Sequence, residues 1–412
     1  PQRKLKDMQI AYNFITNTTK ELYPLLNSID GDKLNEETQE YIYENINEFL
    51  GYLPKFSSIT LNSISIRIER KNKLYDELIF DIIGDLYYKF IYDISGENID
   101  YNRYTKFNAT LLSLAIKSSP EISKFLIRQP TIDVNLLYNF HFSKIAPLHI
   151  AILYNKFDIF KELLSHPKID VNLKCDVRNK TFSMEGEITP LSMSIDINSS
   201  FFEALLQHPK IDVNQESDMP NINSYKITPL ILSIDNRNYK TVKQLLHHPK
   251  IDVNKIAIVN GLETTALQTA ITINDPEIVK LIIEKPDIDI NAITLVHDKN
   301  EKVFLTPLLF SISTKRKEIT KLLLKHPKID VNLKTTKISV KNGLTIESED
   351  MPLVAAIRTD DNELLDALLK RPDIDVNAFG KVVSKNESGI VLNSSLPLLL
   401  IAYSAINFYA FE

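Results

Sequence analysis

From about residue 106 onward, apolar positions fall into two short helical stripes separated by a polar break, and a nearly constant quartet follows each pair. In the stretch 306–332, TPLLFSISTKRKEITKLLLKHPKIDVN, Leu308, Leu309 and Ile312 line one face of a first helix. Thr306 can cap that helix, and Pro307 fits its first turn, where a missing donor is harmless. Ser313 to Lys317 is polar, and then Ile319, Leu322, Leu323 and Leu324 return at helical spacing until His326-Pro327 stops the run. The pattern predicts two antiparallel helices. The position held by Ala115, Ala151, Ser194, Ser233, Ala270, Ser311 and Ala356 in the first helix of each pair is always small, which lets neighbouring helices approach closely.

The quartet IDVN stands at 132–135, 169–172, 211–214, 251–254, 329–332 and 374–377, with IDIN at 288–291, at intervals of 37, 42, 40, 37, 41 and 45 residues. Recurrence at that period is the mark of tandem supersecondary units. From the centre of the triplet that opens each first helix (Thr110, Pro147, Pro190, Pro229, Ala266, Pro307, Pro352) to the quartet Asn is 25 residues in six cases and 24 in one. From each Asn to the next triplet centre the count varies: 12, 18, 15, 12, 16, 20 and 20. Fixed length belongs to packed structure, because an inserted residue rotates every later side chain, and drifting length belongs to exposed connections.

These residues resemble the ankyrin repeat, whose pattern runs T-P-L-H-x-A-A, a turn, I-V-x-L-L-L, a turn and D-V-N. The match is closest in APLHIAILYNKFDIFKELLSHPKIDVN (146–172) and extends in register over about three-quarters of the chain. The His of TPLH survives only as His149, and Thr is lost at Ala146, Met351 and Leu396. The HPxIDVN wording looks like long-fingered ankyrin proteins expanded in some parasitic protists. The resemblance implies a mainly α fold: an ankyrin-repeat solenoid that binds protein partners through its concave groove and fingers.

The variable leg reads as elongated β-hairpin fingers. KIAIV-NG-LETT puts Asn260-Gly261 in a two-residue turn between β-formers, and KISVK-NG-LTIES does the same around Asn342-Gly343. The segments 293–305 and 381–392 give weaker versions with longer loops, and 215–226, with Pro220, reads as irregular. Whether neighbouring fingers pair into one sheet stays open. Finger geometry singles out Asp298, Lys299, Asn300, Lys337, Lys341 and Asn342 as candidate partner contacts.

Residues 1–105 contain no IDVN and read as helices, expected to form a cap domain ahead of an array at 106–412 with seven repeats and an incomplete eighth from about 395. The apolar tail 396–412 is expected to begin that eighth unit and to offer an assembly contact. A membrane span is not expected, since the tail segment 395–411, 17 residues without a charge, contains Pro397, Ser404 and Asn407. The first residues lack the apolar run of a signal peptide, and the chain begins without Met, as a processed or incomplete product would.

Charge narrows the partners. Residues 1–105 hold 12 Lys and Arg against 17 Asp and Glu, which leaves 36 of each beyond. No bulk basic face supports nucleic-acid binding, and the small group Arg67, Arg70, Lys71 and Lys73 borders Glu69 and Asp76. The single cysteine, Cys175, excludes an internal disulfide, fits a reducing, cytoplasmic compartment, and falls in an expected finger where it would be exposed. Five glycosylation sequons (Asn17, Asn108, Asn198, Asn386, Asn393) are the chance product of an Asn-rich chain.

His166, His208, His248 and His326 repeat at one position. Equivalent residues of stacked units stand about 8–10 Å apart, whereas ligands sharing a zinc sit about 2 Å from it. The ladder is therefore read as imidazoles satisfying helix C-terminal carbonyls. The quartet Asp residues read as turn formers, and the Asn residues as tolerating a left-handed backbone. No phosphate loop, HExxH, CxxC or GxSxG is present, so no catalytic residue, metal or cofactor is expected. The function that follows is a non-catalytic scaffold for protein partners. The alternative is a structural component of a larger assembly, such as a cytoskeletal one.

Overall fold

The computed structural model describes residues 99–397, apart from 105–108, 141–142, 180–183, 220–224, 260, 299–300, 342–343, 360 and 386–390. The expected N-terminal helices, the basic group at 67–73 and the tail 398–412 lie outside the described residues. The chain divides into two compact units, Pro1–Met184 and Glu185–Glu412.

In the first unit, α1 (Leu111–Ser118) and α2 (Pro120–Ile127) form one antiparallel pair, and α3 (Pro147–Leu153) and α4 (Phe157–Ser165) the next. α1 packs on α3, and α2 on α4. β1 (Tyr138–Phe140) and β2 (Ser143–Ile145) make a hairpin between the pairs, and β2 pairs in turn with β3 (Cys175–Asn179) through Lys144 and Asp176.

The second unit repeats the plan. Its helix pairs are α5 (Pro190–Ile197) with α6 (Ser199–Leu206), α7 (Pro229–Asp235) with α8 (Tyr239–His247), and α9 (Ala266–Thr272) with α10 (Pro276–Ile283). They continue with α11 (Pro307–Ser313) and α12 (Lys317–Leu324), then α13 (Pro352–Arg358) and α14 (Asn362–Leu369). First helices pack on first helices, from α5 through α7, α9 and α11 to α13.

Local chemistry sets these boundaries. Thr110, Thr189, Thr228, Thr265 and Thr306 each accept a backbone N–H at the start of a first helix, and where Thr is replaced, at Ala146 and Met351, no side chain caps. The turn between paired helices uses left-handed residues at Asn155, Arg237, Asn274 and Lys315. The seven small positions are all buried, Ala270 completely, as close helix approach requires. Where the small residue is Ser194, Ser233 or Ser311, its hydroxyl donates back to a carbonyl of its own helix, to Leu191, Pro229 or Leu308. The quartet Ile and Val residues lie in the core up to Ile329 and Val331, while Val376 of the last quartet is exposed.

Every variable leg in the second unit is a hairpin. β4 (Met184–Ile188) opens the series, and β5 (Ser217–Met219) and β6 (Tyr225–Ile227) pair across the segment expected to be irregular, with Pro220 falling between them. β7 (Ala257–Val259) and β8 (Leu262–Thr264) close through the expected two-residue turn, where Gly261 has φ +75°. β9 (Thr294–Asp298) and β10 (Glu301–Leu305) also close through two residues, because Asp298 pairs directly with Glu301; the longer loop expected there is absent. β11 (Thr335–Lys341) pairs with β12 (Leu344–Asp350), and β13 (Phe379–Lys385) with β14 (Val391–Pro397), the last across a five-residue connection. Leu396 and Pro397, expected to open a helix, are strand residues paired with Gly380 and Phe379.

The fingers do join. β9 to β14 form one six-stranded antiparallel sheet in sequence order, and β4 to β8 run in order in the other sheet. Between β8 and β9 the backbone ladder stops, and the Leu295 N–H donates instead to the Glu263 carboxylate (3.4 Å). Up to Pro352, leg lengths of 12, 16 and 20 residues correspond to strands of 3, 5 and 7 residues around a two-residue turn, while the last leg of 20 has strands of 7 around a five-residue connection. Growth comes two residues per strand because antiparallel pairs alternate between two kinds, so a tight turn closes only every second pair.

Candidate functional site

Two polar systems compete for the name of site: the quartets and the fingers. Each quartet Asp accepts, at Oδ1, the N–H of the Asn two residues on, at 2.9–3.1 Å from Asp133 through Asp375, the turn bond expected of it. The Asn residues do something the sequence reading missed, since none has a positive φ. Asn254 donates from Nδ2 to the Asp287 carbonyl (2.8 Å) and accepts the Asp289 N–H at Oδ1 (2.8 Å), so one amide closes a backbone pair in the next repeat. Asn214 does the same with Lys250 and Asp252, Asn291 with Lys328 and Asp330, and Asn332 with Asp373 and Asp375. In the first unit Asn135 clasps Lys168 and Asp170. Asn102 clasps Thr131 and Asp133, which identifies Ile99-Asp100-Tyr101-Asn102 as a further quartet inside the segment thought to lack one. Tyr in third place hid it.

Lysines and histidines reinforce the same strip. Lys250 and Lys328 donate across the repeat boundary to the Pro209 and Pro286 carbonyls (3.2 and 2.9 Å). The position before Pro also reaches back: Lys285 donates to the Leu246 carbonyl (3.0 Å) and Arg371 to Leu324 (2.8 Å). The histidines differ from expectation. His166, His208, His248 and His326 each accept, at Nδ1, the N–H of the Lys two residues on (3.2–3.3 Å), which requires a neutral ring. Burial, then the neighbouring Lys168 or Lys250, holds His166 and His248 below the ordinary imidazole value. His247 takes the role foreseen for its neighbour, with Nδ1 at 2.7 Å from the Lys243 carbonyl.

Cys175 begins a finger strand but is only 2 % exposed: it accepts the Ala146 N–H at Sγ (3.2 Å), and burial pushes the thiol up to about 12. The expectation of exposure fails because the third residue after each quartet Asn turns inward; Ser217 occupies the same place and accepts the Thr189 N–H (3.1 Å). Nearby, Lys117 Nζ sits 3.2 Å from Tyr138 Oη and about 5 Å from the Tyr138 and Tyr154 ring centroids, and burial lowers its amine to about 7.

The fingers carry the expected contact residues. Asp298 ends β9, and Lys337 and Lys341 lie on β11, so the structure brings these three into one sheet; Lys299, Asn300 and Asn342 lie outside the described residues. Lys337 pairs with Glu301 of the neighbouring finger (2.9 Å), a partner that sequence spacing could not supply. Register aligns Lys302, Ile338, Glu347 and Val383 across four strands, polar and apolar mixed. Val340 is 52 % and Phe379 55 % exposed. This sheet stands outside the helical core. Among the described residues no group of three or more His, Cys, Asp or Glu could hold a metal ion, and no helix is long and apolar enough to cross a membrane.

A family model described as ankyrin repeats (3 copies) matches residues 193–294, and one described as ankyrin repeat matches 144–173, so ankyrin repeats are recognised in the chain. No curated protein matches it. A chain of the solved complex of Bd0816 predatory endopeptidase from Bdellovibrio bacteriovorus with immunity protein Bd3460 is similar at 18 % identity and a TM-score of 0.38, over 51 % of this chain and 97 % of that one. EF0377, titled an ankyrin repeat protein, is similar at 19 % identity and a TM-score of 0.39, over 58 % of this chain and 99 % of that one.

Proposed function

We propose that the chain is a non-catalytic protein-interaction scaffold of the cytoplasm, in which a cap at 1–105 precedes an array at 106–412 and partners bind the concave groove and the extended fingers. The observation that carries this reading is the six-stranded sheet β9–β14: its strands lengthen from five to seven residues while the helical leg stays at 25. Length added outside the core does little for folding and creates surface, and exposed positions in a repeat array vary without disturbing packed ones. Asp298, Lys299, Asn300, Lys337, Lys341 and Asn342 are the proposed contacts. Removing Val340, Lys341, Leu344 and Thr345 keeps the Asn342-Gly343 turn and the parity of the hairpin. That variant should fold with unchanged melting behaviour and lose a copurifying partner, and binding indifferent to shortening of every finger would reject the proposal.

A second reading, as a component of a larger assembly, such as a cytoskeletal one, docking through 396–412, draws on exposed apolar residues at and after the last described helix pair, Leu369, Val376 and Phe379. Sedimentation decides it: concentration-dependent association lost on Leu369→Glu supports the assembly role, and a monomer at all concentrations removes it.

A further inference from the structure

The boundary between the α11–α12 pair and the α13–α14 pair forms a partly open cleft of about 190 Å³. Ile312, Leu324, Leu364 and Ala367 give it an apolar lining. Its volume is below the roughly 300–1,000 Å³ of small-molecule pockets and about six times the ~30 Å³ share of a liquid water. One large side chain fits that space; a cofactor does not.

The charges around it are unbalanced. Lys317 pairs with Asp361 across the gap (3.0 Å), and Lys321 with Glu363. Lys315 and Arg316 line the same cavity and add two further positive charges. Arg316 stands nine residues after the residue that opens its first helix, where three of the four other pairs of this unit place Asn238, Asp275 and Asp361, each accepting a backbone N–H to cap its own second helix; the α5–α6 pair has Ser199 there and caps from Asn198. Arg316 makes no such cap. One end of its guanidinium donates to the Thr272 carbonyl (3.3 Å), while Nε is buried and meets no acceptor among the described residues. Buried donors are rarely left unpaired, and a guanidinium matches a carboxylate above other acceptors.

We propose that this cleft is a docking site for an acidic peptide segment of a protein partner, whose apolar side chain enters between α12 and α14 while a flanking carboxylate pairs with the surplus cations Lys315 and Arg316 that line it. The site is separate from the finger surface and shares with the reading above only that the partner is a protein. Surplus positive charge selects an acidic sequence, and the apolar lining selects one with a bulky anchor; neither feature alone defines the ligand.

The test is fluorescence anisotropy on the full chain with labelled acetyl-Glu-Asp-Phe-Asp-Glu-amide as probe, beside its Phe→Ala and all-amide (Gln, Asn) analogues. Arg316→Asn installs the cap used at Asn238, so it keeps the fold while removing the donor, and Ala367→Leu fills the cavity. Tenfold or greater weakening by each substitution and for each analogue is the expected result, with binding unchanged when the β11–β12 finger is shortened. Arg316→Asn binding the probe as tightly as the parent, equal binding of the Phe→Ala analogue, or no binding at millimolar probe would overturn the proposal. So would self-association of the chain that disappears in Arg316→Asn, which would make a second copy the occupant. Loss of finger-dependent partner capture with this binding intact, or the reverse, separates the fate of the two proposals.

Discussion

The quartet strip and the finger sheet both join one repeat to the next, yet they do so with different bonds. In the strip, an Asn amide reaches one backbone N–H and one carbonyl of its neighbour, a geometry that tolerates no change of length. In the fingers, backbone pairs with backbone, as Glu301–Ser339 and Ser348–Val382 do, and the ladder between neighbours can run for one pair, three or four. Side-chain clasps fix a spacing; backbone ladders leave it free. The chain places the first where the core must repeat and the second where surface can grow.

The largest effect separating the two regions should come from volume. Ala270 is fully buried where α9 meets its neighbours, so Ala270→Leu forces the helices apart and should cost about 3 kcal/mol. Four residues added to the β7–β8 finger, two per strand around Asn260-Gly261, should cost about 0.6 kcal/mol or less, the scale of a longer loop closure. Urea titration of both variants compares them directly, and equal losses would erase the distinction between core and finger.

Next in size is the clasp itself. Asn254→Ala removes a donor and an acceptor together and should cost about 2 kcal/mol, at roughly 1 kcal/mol per hydrogen bond. Asn254→Asp keeps the acceptor for the Asp289 N–H and sets an oxygen against the Asp287 carbonyl in place of a donor. Its denaturation midpoint should stay below that of the parent. A midpoint equal to the parent's would mean that the Nδ2 bond contributes nothing.

Much of this division is legible in the sequence, and the reasons differ by region. Small residues at Ala115 through Ala356, Thr caps, and the turns at Asn260-Gly261 and Asn342-Gly343 act on neighbours in sequence, so spacing reveals them. The Asn clasp bonds residues 29 or more apart, and an Asn after Asp looks like an ordinary turn residue until its partner is known. Cys175 was misjudged for the same reason, since the Ala146 N–H it accepts lies 29 residues back, whereas each histidine bonds the Lys only two residues on, a local acceptor role that the helix-end reading passed over. Arg316 carried a signal that was readable, a positive charge where three pairs of its unit have Asn or Asp, although Lys156 in the first unit shares it. Without the cavity beside it, that signal had no direction.

The strip should also respond to pH where the fingers do not. His166 and His248 lie below the ordinary value near 6.5 because burial and a nearby lysine disfavour the cation, so their stabilising neutral form is fully present above pH 6.5. That contribution is lost as pH falls through the folded values, where a proton on Nδ1 removes the acceptor for the Lys168 or Lys250 N–H. The melting temperature should therefore drop between pH 7.5 and 5.5, above the range near 4 where carboxylates titrate. Changing His166 and His248 to Asn together supplies an acceptor that does not titrate. The drop should shrink in that variant; an undiminished drop would place the titrating groups elsewhere.

The smallest effect belongs to the finger sheet. Lys337 and Glu301 are in contact at 2.9 Å, but their side chains keep 41 % and 26 % of their exposure, so water screens most of the attraction. Lys337→Ala should change stability by less than about 0.5 kcal/mol, the ordinary worth of such a pair. Because β10 and β11 stay joined through their backbones at Glu301–Ser339 and Val303–Lys337, amide exchange in both strands should keep its protection in this variant. Exchange that speeds up across β10 and β11 would show that the fingers, like the quartets, depend on a side-chain clasp to stay joined, and the contrast between the two regions would fail at its weaker end.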